Sequence, residues 1–552
     1  MSGADSLDPA DATIAALVAA AEPREPRPLA TLIERLAAEG VLTGAREGGR
    51  AIGPGGLGRV TVRGVAFDSR HVAPGTLFVA IAGARADGHD FVGRAEAGGA
   101  VAAIVERPVA DARLPQLVVV RSRAALASAA AWWYGDPSRE LGVVGITGTD
   151  GKTTTSFLAV GALEAAGLSA GLVGTIETKI GRVREAHAEH ATTPEAPALQ
   201  AVMRAMAGAG NAAAVLETTS HGLAQERVGA VAYDIAVFTN LTHEHLEFHG
   251  SWEAYRDAKL SLFARLAAGP SNPLKRVGGL AWPKAAVVNL DDPSAGVFVG
   301  VAREAGATVV TYGTDPAADV RADRVEEDAA GVRVRLTGPS GAADLRIRLA
   351  GRFNAHNALA VVALGELLGL DPATIRDGLA SVDRVPGRME RIDVGQPFSV
   401  IVDFAHSPAS LEHVLDLLAP IAAARGGGLI AVFGSAGERD TAKRPMMGRI
   451  AGQRCRLVLV TDEDPRGEDR DAILAEIAAG AESAGRRRGV DLLLIADRPA
   501  AVAAAFERAR PGDLVLLAGK GHERSIEYAD GPRPYDERAT ALAALAALGF
   551  RV

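Results

Sequence analysis

Apolar and polar positions along the chain follow two periods, and the switches between them predict its elements. Leu29-Ala-Thr-Leu-Ile-Glu-Arg-Leu36 recurs at three- and four-residue steps and reads as a short amphipathic helix. From about 60 to 122, apolar runs such as Leu77-Phe-Val-Ala-Ile81 and Gln116-Leu-Val-Val-Val120 alternate with turn-rich segments and read as buried strands of a small α/β domain. A strand at Leu141, Val143, Val144 and Ile146 then precedes a helix marked by Phe157, Leu158 and Leu163. Further strands end at Leu216, Phe238 and Val288, each followed by polar residues, as expected at the ligand-binding carboxyl edge of a doubly wound parallel sheet. Val332-Arg-Val-Arg-Leu336 and Leu345-Arg-Ile-Arg-Leu349 alternate strictly, which predicts a two-stranded appendage whose arginines face water. Strands near 399–403, 429–433, 456–461, 491–495 and 513–518 alternate with helical segments and predict a second βαβ sheet.

The expected fold is therefore α/β in three domains: a small N-terminal domain over 29–122, a central doubly wound ATPase domain over 123–386, and a Rossmann-like C-terminal domain over 387–552. Residues 1–28, rich in Ala, Pro, Asp and Glu, read as a loosely ordered extension. Length and a 48% hydrophobic content allow several cores. The formal charge of −8 with scattered Lys and Arg argues against nucleic acid or a basic membrane patch. Cys455 is the only cysteine, which excludes an intrachain disulfide framework and metal thiolate sites and fits a reducing cytoplasm. No run approaches the roughly 18 apolar residues of a membrane span, and Asp5, Asp8 and Asp11 make the start unlike a signal peptide. A cytoplasmic location without membrane insertion is expected.

Gly145-Ile-Thr-Gly-Thr-Asp-Gly-Lys-Thr-Thr-Thr155, set between strand and helix, is a glycine-rich turn of the kind that cradles nucleotide phosphates. It departs from the strict G-x-x-x-x-G-K-[ST] spacing because position 146 is Ile. Lys152 would reach the β/γ-phosphates of ATP, and Thr153 would reach Mg²⁺. The apolar strand Ala214-Val-Leu-Glu217 delivers Glu217 at its tip, a candidate Mg²⁺ ligand, although such a strand end is also a common helix start. Thr239-Asn-Leu-Thr-His-Glu-His-Leu-Glu-Phe-His249 places three histidines within seven residues, without the cysteines or spacing of a zinc site. Trp252, Tyr255, Lys259, Leu262, Phe263 and Leu266 share a helical stripe, so Lys259 lies where a bare ammonium is costly. Either its head snorkels to water, or CO₂ adds to the amine and gives a carbamate able to hold a second Mg²⁺. The C-terminal sheet lacks a Gly-x-Gly-x-x-Gly at its first turn, so no dinucleotide is expected. That domain is expected to close over the ATP site and bring a further substrate.

From about 29 to 550 the chain resembles the Mur ligase family, in its UDP-N-acetylmuramoyl-tripeptide synthetase branch. The motifs are Asp68-Ser-Arg70, Gly148-Thr-Asp-Gly-Lys-Thr-Thr154, Thr192-Thr-Pro194, Glu217-Thr-Thr-Ser-His-Gly-Leu-Ala-Gln-Glu-Arg227, Asn240-Leu-Thr-His-Glu-His245, Gly351-Arg-Phe-Asn-Ala-His-Asn357, Val385-Pro-Gly-Arg-Met-Glu390, Asp403-Phe-Ala-His-Ser-Pro408, Gly434-Ser-Ala-Gly-Glu-Arg-Asp440 with Lys443-Arg-Pro445, and Gly519-Lys-Gly-His-Glu523. The resemblance implies an ATP-dependent ligase, monomeric, that joins a diamino acid to UDP-N-acetylmuramoyl-L-alanyl-D-glutamate through an acyl phosphate. It implies that the N-terminal domain binds UDP, with Ser69, Ala84, Arg85 and Ala86 at uridine-nucleotide positions. Thr192, Thr193, Thr219, Gln225 and Arg227 match residues holding the rest of the muramoyl dipeptide. Gly148, Thr149, Asp150, Gly151, Lys152, Thr153 and Thr154 form the phosphate loop, and Asn354, Arg388, Asp403 and His406 match further ATP positions. Lys259 matches a carbamylated lysine and His245 a histidine at the metal site. Asp150 stands where Asn is commoner, and Thr219 replaces a serine.

The same resemblance implies that Arg444, Glu463, Asp464, Pro465, Arg466, Gly519 and Glu523 take the incoming amino acid. The family's diaminopimelate motif is Asp-Asn-Pro-Arg, whose arginine holds the distal carboxylate; here it reads Glu463-Asp-Pro-Arg466. The retained arginine favours meso-diaminopimelate. The added negative charge of Glu463 and Asp464 opens the alternative of L-lysine or L-ornithine. Another Mur step, a folylpolyglutamate-type ligase and a non-catalytic ATP-dependent binding module are the remaining alternatives. The segment Ser271 to Lys284 reads as a local insertion.

Overall fold

A computed structural model describes residues 13–48, 50–83, 86–186, 192–242, 246–267, 275–328 and 331–551. The chain divides into two compact units. One runs through Arg324 and adds Arg335–Leu345 and His356–Ser381; the other comprises Val325–Val334, Arg346–Ala355 and the chain from Val382.

The first unit holds two large sheets among its described residues. The smaller has the strand order Arg50–Ile52, Leu42–Glu47, Gln116–Val119, Ala102–Val105, Thr76–Val79, Gly64–Ala66. Its apolar face is covered by Leu29–Ala38, where Leu29, Leu32, Ile33 and Leu36 are buried, and by Ser122–Trp133. That second helix lies beyond the boundary expected at 122, and it belongs with the N-terminal core because Ala125, Leu126, Ala129, Trp132 and Trp133 pack there. The extension also differs from expectation. Thr13 caps a helix over Ile14–Ala20, whose Ile14, Leu17 and Val18 pack against buried hydrophobics, and the Glu22 carboxylate accepts from Trp133 Nε1 and Tyr134 Oη. This part of the extension is folded because its apolar face finds a surface.

The larger sheet carries the phosphate loop. Its parallel strands run in the order Ala170–Val173, Ala213–Glu217, Gly142–Thr147, Ile235–Phe238, Ala285–Asn289, Thr308–Gly313. All but the last are buried along their whole length, which is why they are continuous apolar runs. Helix Lys152–Ala165 packs on these strands and Pro372–Ser381 packs on that helix, while Ala196–Gly208, Trp252–Ala264 and Ala295–Glu304 share another core cluster. The expected two-stranded appendage is instead part of this sheet: Val320–Asp328, Gly331–Gly338 and Gly341–Ile347 continue it, and Arg333 and Arg335 are exposed as expected. In the 271–284 insertion, of which 271–274 lie outside the described residues, Lys275–Val277 and Leu280–Trp282 form a hairpin. Lys275 and Lys284 both reach the buried Asp234, at 2.6 and 3.0 Å, and Trp282 fills the space left by Gly142.

The second unit is built on a sheet ordered Glu390–Ile392, Ser399–Asp403, Leu514–Ala518, Leu429–Phe433, Leu457–Val460, Leu492–Leu494, parallel except for its first strand. No helix among the described residues is long and apolar enough to cross a membrane.

Candidate active site

The phosphate loop follows the buried strand Gly142–Thr147 and ends at helix Lys152–Ala165, whose first N–H groups point into the loop. Gly148 (φ +150°) and Gly151 (φ +82°) take backbone conformations that side chains rarely adopt, and a Cβ at Gly148 would lie 1.9 Å from Thr239 Oγ1. The loop is pinned from the next strand end. Thr149 N donates to Asn240 O, Asp150 N to Asn240 Oδ1, and Thr239 Oγ1 to Asp150 O. Asp150 itself is exposed, so its carboxylate adds no buried charge. Lys152 Nζ is folded back onto the carbonyls of Gly148 and Thr149, at 2.9 and 2.6 Å.

Glu217, at the tip of Ala213–Glu217, is 1% exposed. Its Oε2 accepts from Thr153 Oγ1 (2.9 Å) and Thr175 Oγ1 (2.8 Å), and its Oε1 accepts from Thr175 N (3.0 Å). A buried carboxylate with a threonine hydroxyl beside a phosphate loop is a set of hard oxygen donors suited to Mg²⁺. Thr193 Oγ1 donates to Glu217 O and lies 3.0 Å from Thr219 Oγ1, while Thr192 Oγ1 is 3.1 Å from Thr175 Oγ1. Arg227 donates to Thr193 O and Gln225 Oε1, so Thr192, Thr193, Thr219, Gln225 and Arg227 form one cluster next to Glu217.

Lys259 is 2% exposed in helix Trp252–Ala264; its Nζ donates to Gly148 O (2.7 Å) and sits 4.6 Å from the Tyr255 ring centre. Snorkelling to water is thus corrected: the stripe is buried to its tip, at the mouth of the phosphate loop. A carbamylated amine would keep one N–H to donate to Gly148 O. Tyr255 Oη bonds Thr149 Oγ1 at 2.9 Å, tying this helix to the loop. His245 lies outside the described residues, as do Ala84 and Arg85. Ser69 and Ala86 line a cavity of about 490 Å³ with Phe67, Arg70, Phe91 and Arg123.

In the second unit, Arg388, Asp403 and His406 gather around Phe404. The Arg388 guanidinium lies 4.9 Å from the Phe404 ring, Asp403 accepts from Met389 N and Ala405 N, and His406 Nδ1 is 2.9 Å from Phe404 O. Asn354 heads a helix and donates to Ala350 O. Glu463, Asp464 and Glu523 are brought together with Gly519, where an added Cβ would lie 2.9 Å from Glu463 Oε2. That oxygen is buried and has no hydrogen-bond partner among the described residues. Asp464 Oδ1 instead accepts from Lys520 Nζ (2.8 Å) and Glu527 N (2.9 Å), and Lys520 also pairs with Glu523. Burial pushes the Glu523 carboxyl above its ordinary range, with Asp464 and Glu463 adding to the rise and Lys520 opposing it. Arg466 follows Pro465 in a left-handed conformation (φ +53°), donates its main-chain N–H to Glu527 O, and has no ion pair with a described carboxylate. Arg444 lies at the base of the loop that follows Phe433. It is 1% exposed and held by Glu468, Glu476 and Ala436 O, while its Nε is buried with no hydrogen-bond partner among the described residues. Exposed Arg439 lies on that loop, which interlocks with the Arg466 loop through Gly437 N donating to Asp464 O.

Three family models match in order: "Mur ligase family, catalytic domain" over 61–134, "Mur ligase middle domain" over 146–365 and "Mur ligase, glutamate ligase domain" over 387–521. A UDP-N-acetylmuramyl-tripeptide synthetase of Roseiflexus sp. (strain RS-1) is 50% identical over 89% of this chain and 95% of its own length. The chain belongs to the Mur ligase family. A second Mur ligase relative, a UDP-N-acetylmuramoyl-L-alanyl-D-glutamate–2,6-diaminopimelate ligase of Geobacter metallireducens, is 40% identical over 91% of this chain and 98% of its own. A solved Mur ligase structure of the same activity aligns with a TM-score of 0.62 at 30% identity, over 90% of this chain and 97% of that one. Thr175, which bonds Glu217, and Asn240, which pins the phosphate loop, have structural parts that sequence reasoning did not give them, although Asn240 opens one of the quoted motifs.

Proposed function

We propose that this Mur ligase couples ATP cleavage to joining meso-diaminopimelate to the D-glutamate of UDP-N-acetylmuramoyl-L-alanyl-D-glutamate. ATP phosphorylates the γ-carboxylate, and the amine of the amino acid displaces phosphate from the acyl phosphate, giving an amide, ADP and phosphate. A carboxylate is a poor electrophile, and its phosphorylation spreads negative charge over the transferring group. Lys152 would leave its loop carbonyls and turn to the phosphates, and the helix N–H groups behind it stabilise the same charge. Thr153 and Glu217 would hold Mg²⁺, with a carbamate on Lys259 as a further oxygen donor. When bound, such ions offset phosphate charge as Lewis acids. Thr192, Thr193, Thr219, Gln225 and Arg227 would orient the acceptor carboxylate beside Glu217, and Ser69 with the N-terminal cavity would hold the uridine end. Arg388, Asp403, His406 and Asn354 would contact the nucleotide, leaving Glu463 for a substrate ammonium and Arg466, with Arg439, for the distal carboxylate.

The observation that carries this reading is the buried Glu217 carboxylate joined to Thr153 of the phosphate loop, with Lys259 on the loop's own Gly148 carbonyl. Glu217→Gln keeps the volume but turns one acceptor into a donor facing donors already there. It should lower kcat about 100-fold or more and raise the Mg²⁺ concentration needed for half-maximal turnover. Wild-type turnover with an unchanged Mg²⁺ requirement would remove Glu217 from the reaction.

A further inference from the structure

Between Gln225 and Arg227 lies a residue to which the site described above gives no role. Glu226 takes a left-handed backbone (φ +55°), a conformation that is strained for a residue with a Cβ. The reversal turns its neighbours to one side, where Arg227 Nη2 and Nε meet Gln225 Oε1 at 2.8 and 3.1 Å and Arg227 Nη1 donates to Thr193 O at 2.8 Å. The Glu226 side chain serves the other elements. Its Oε2 pairs with Arg265 Nη2 at 2.8 Å, and its Oε1 with Arg121 Nη1 at 3.1 Å. Arg265 is the cap residue of helix Trp252–Ala264, which carries Lys259, and its Nη1 also donates to Gly229 O. Arg121 caps the start of Ser122–Trp133 in the N-terminal core. A single carboxylate therefore links the turn bearing Gln225 and Arg227 to the lysine helix and to the N-terminal domain. Gly229 leaves the room: a Cβ there would lie 2.9 Å from Glu226 Oε2 and 3.1 Å from Ala127 Cβ.

We propose that Glu226 is a positioning residue for the UDP-muramoyl peptide, holding Gln225 and Arg227 in their strained turn through its two arginine partners. The proposal rests on Gln225 and Arg227 touching that substrate. Of the two clamps Arg265 is the stronger, because its side chain is 23% exposed against 67% for Arg121 and so less screened by water.

The test compares Glu226→Ala, Glu226→Gln, Glu226→Gly and Arg227→Ala in steady-state kinetics with each substrate varied, alongside thermal melts. Glu226→Ala should raise KM for the UDP-muramoyl dipeptide about tenfold, with KM for ATP and kcat within about twofold. Gln keeps one oxygen acceptor and should recover part of the loss. Gly relieves the backbone strain yet loses both clamps, so it should resemble Ala. If Arg227→Ala raises this KM while Glu226→Ala and Glu226→Gln change only the melting temperature, Glu226 is structural and the proposal falls. If Arg227→Ala leaves KM unchanged, the turn does not bind the substrate, and the site assignment fails together with the inference built on it.

Discussion

Asp464→Asn separates two roles for the charge beside Arg466. Lys520 is fully buried and has two carboxylate partners, Asp464 at 2.8 Å and Glu523 at 2.5 Å. At an effective dielectric of about 20, a charge pair at the Asp464 distance is worth on the order of 6 kcal/mol before desolvation is charged against it. Asn keeps the acceptor for Lys520 and for the Glu527 N–H, and its burial costs less than a carboxylate's. Glu523 also takes over, since losing the Asp464 charge removes one cause of its raised pKa. The net loss should be about 1–3 kcal/mol, read as a fall in the denaturation midpoint. Because Asp464 is engaged with Lys520 and not with Arg466, the preference for meso-diaminopimelate over L-lysine, measured as the ratio of kcat/KM values, should stay within about threefold of wild type. A shift of about tenfold or more toward diaminopimelate would show that Asp464 had been neutralising Arg466, and the argument from the ion pairs would be wrong.

Gly148→Ala places a Cβ against Thr239 Oγ1 and strains the loop, so KM for ATP should rise about tenfold or more; an unchanged KM for ATP would mean that the loop does not hold the nucleotide. Lys275 is held down to about 8, chiefly by burial and against the pull of Asp234. Between that value and the ordinary lysine range the unfolded chain binds the extra proton, so this group adds stability as pH rises, by about 1.4 kcal/mol per pH unit at most. The stability of wild type relative to Lys275→Met should therefore increase from pH 7.5 to 9.5 in urea titrations, and a constant or shrinking difference refutes the assignment.

The sheets were readable because their strands are buried on both faces. Leu429–Phe433 and Leu514–Ala518 are unbroken apolar runs, and the strand that brings Glu217 to its tip is another. Lys259 was equally visible, since its place in a helical stripe is a local property. What sequence did not reveal depends on partners far along the chain. The charge of Asp464 looked available for Arg466 until Lys520, 56 residues later, was seen to take it. Arg444 shared its motif with exposed Arg439, and only packing against Glu468 and Glu476 distinguishes the buried cation from the free-standing one. Val320–Asp328 is too rich in charge to look like a strand, so the hairpin after it seemed detached from the sheet. Ile14–Ala20 folds because a surface is waiting for it, and its Ala-rich composition says nothing of that surface.

The central claim is tested most directly by identifying the nucleotide product formed when purified enzyme, ATP, Mg²⁺ and UDP-N-acetylmuramoyl-L-alanyl-D-glutamate are offered meso-diaminopimelate, L-lysine and L-ornithine together. The account predicts the diaminopimelate tripeptide as the dominant product, with one ADP and one phosphate released per amide and the preference collapsing in Arg466→Met. A lysine or ornithine product formed faster than the diaminopimelate one would contradict it.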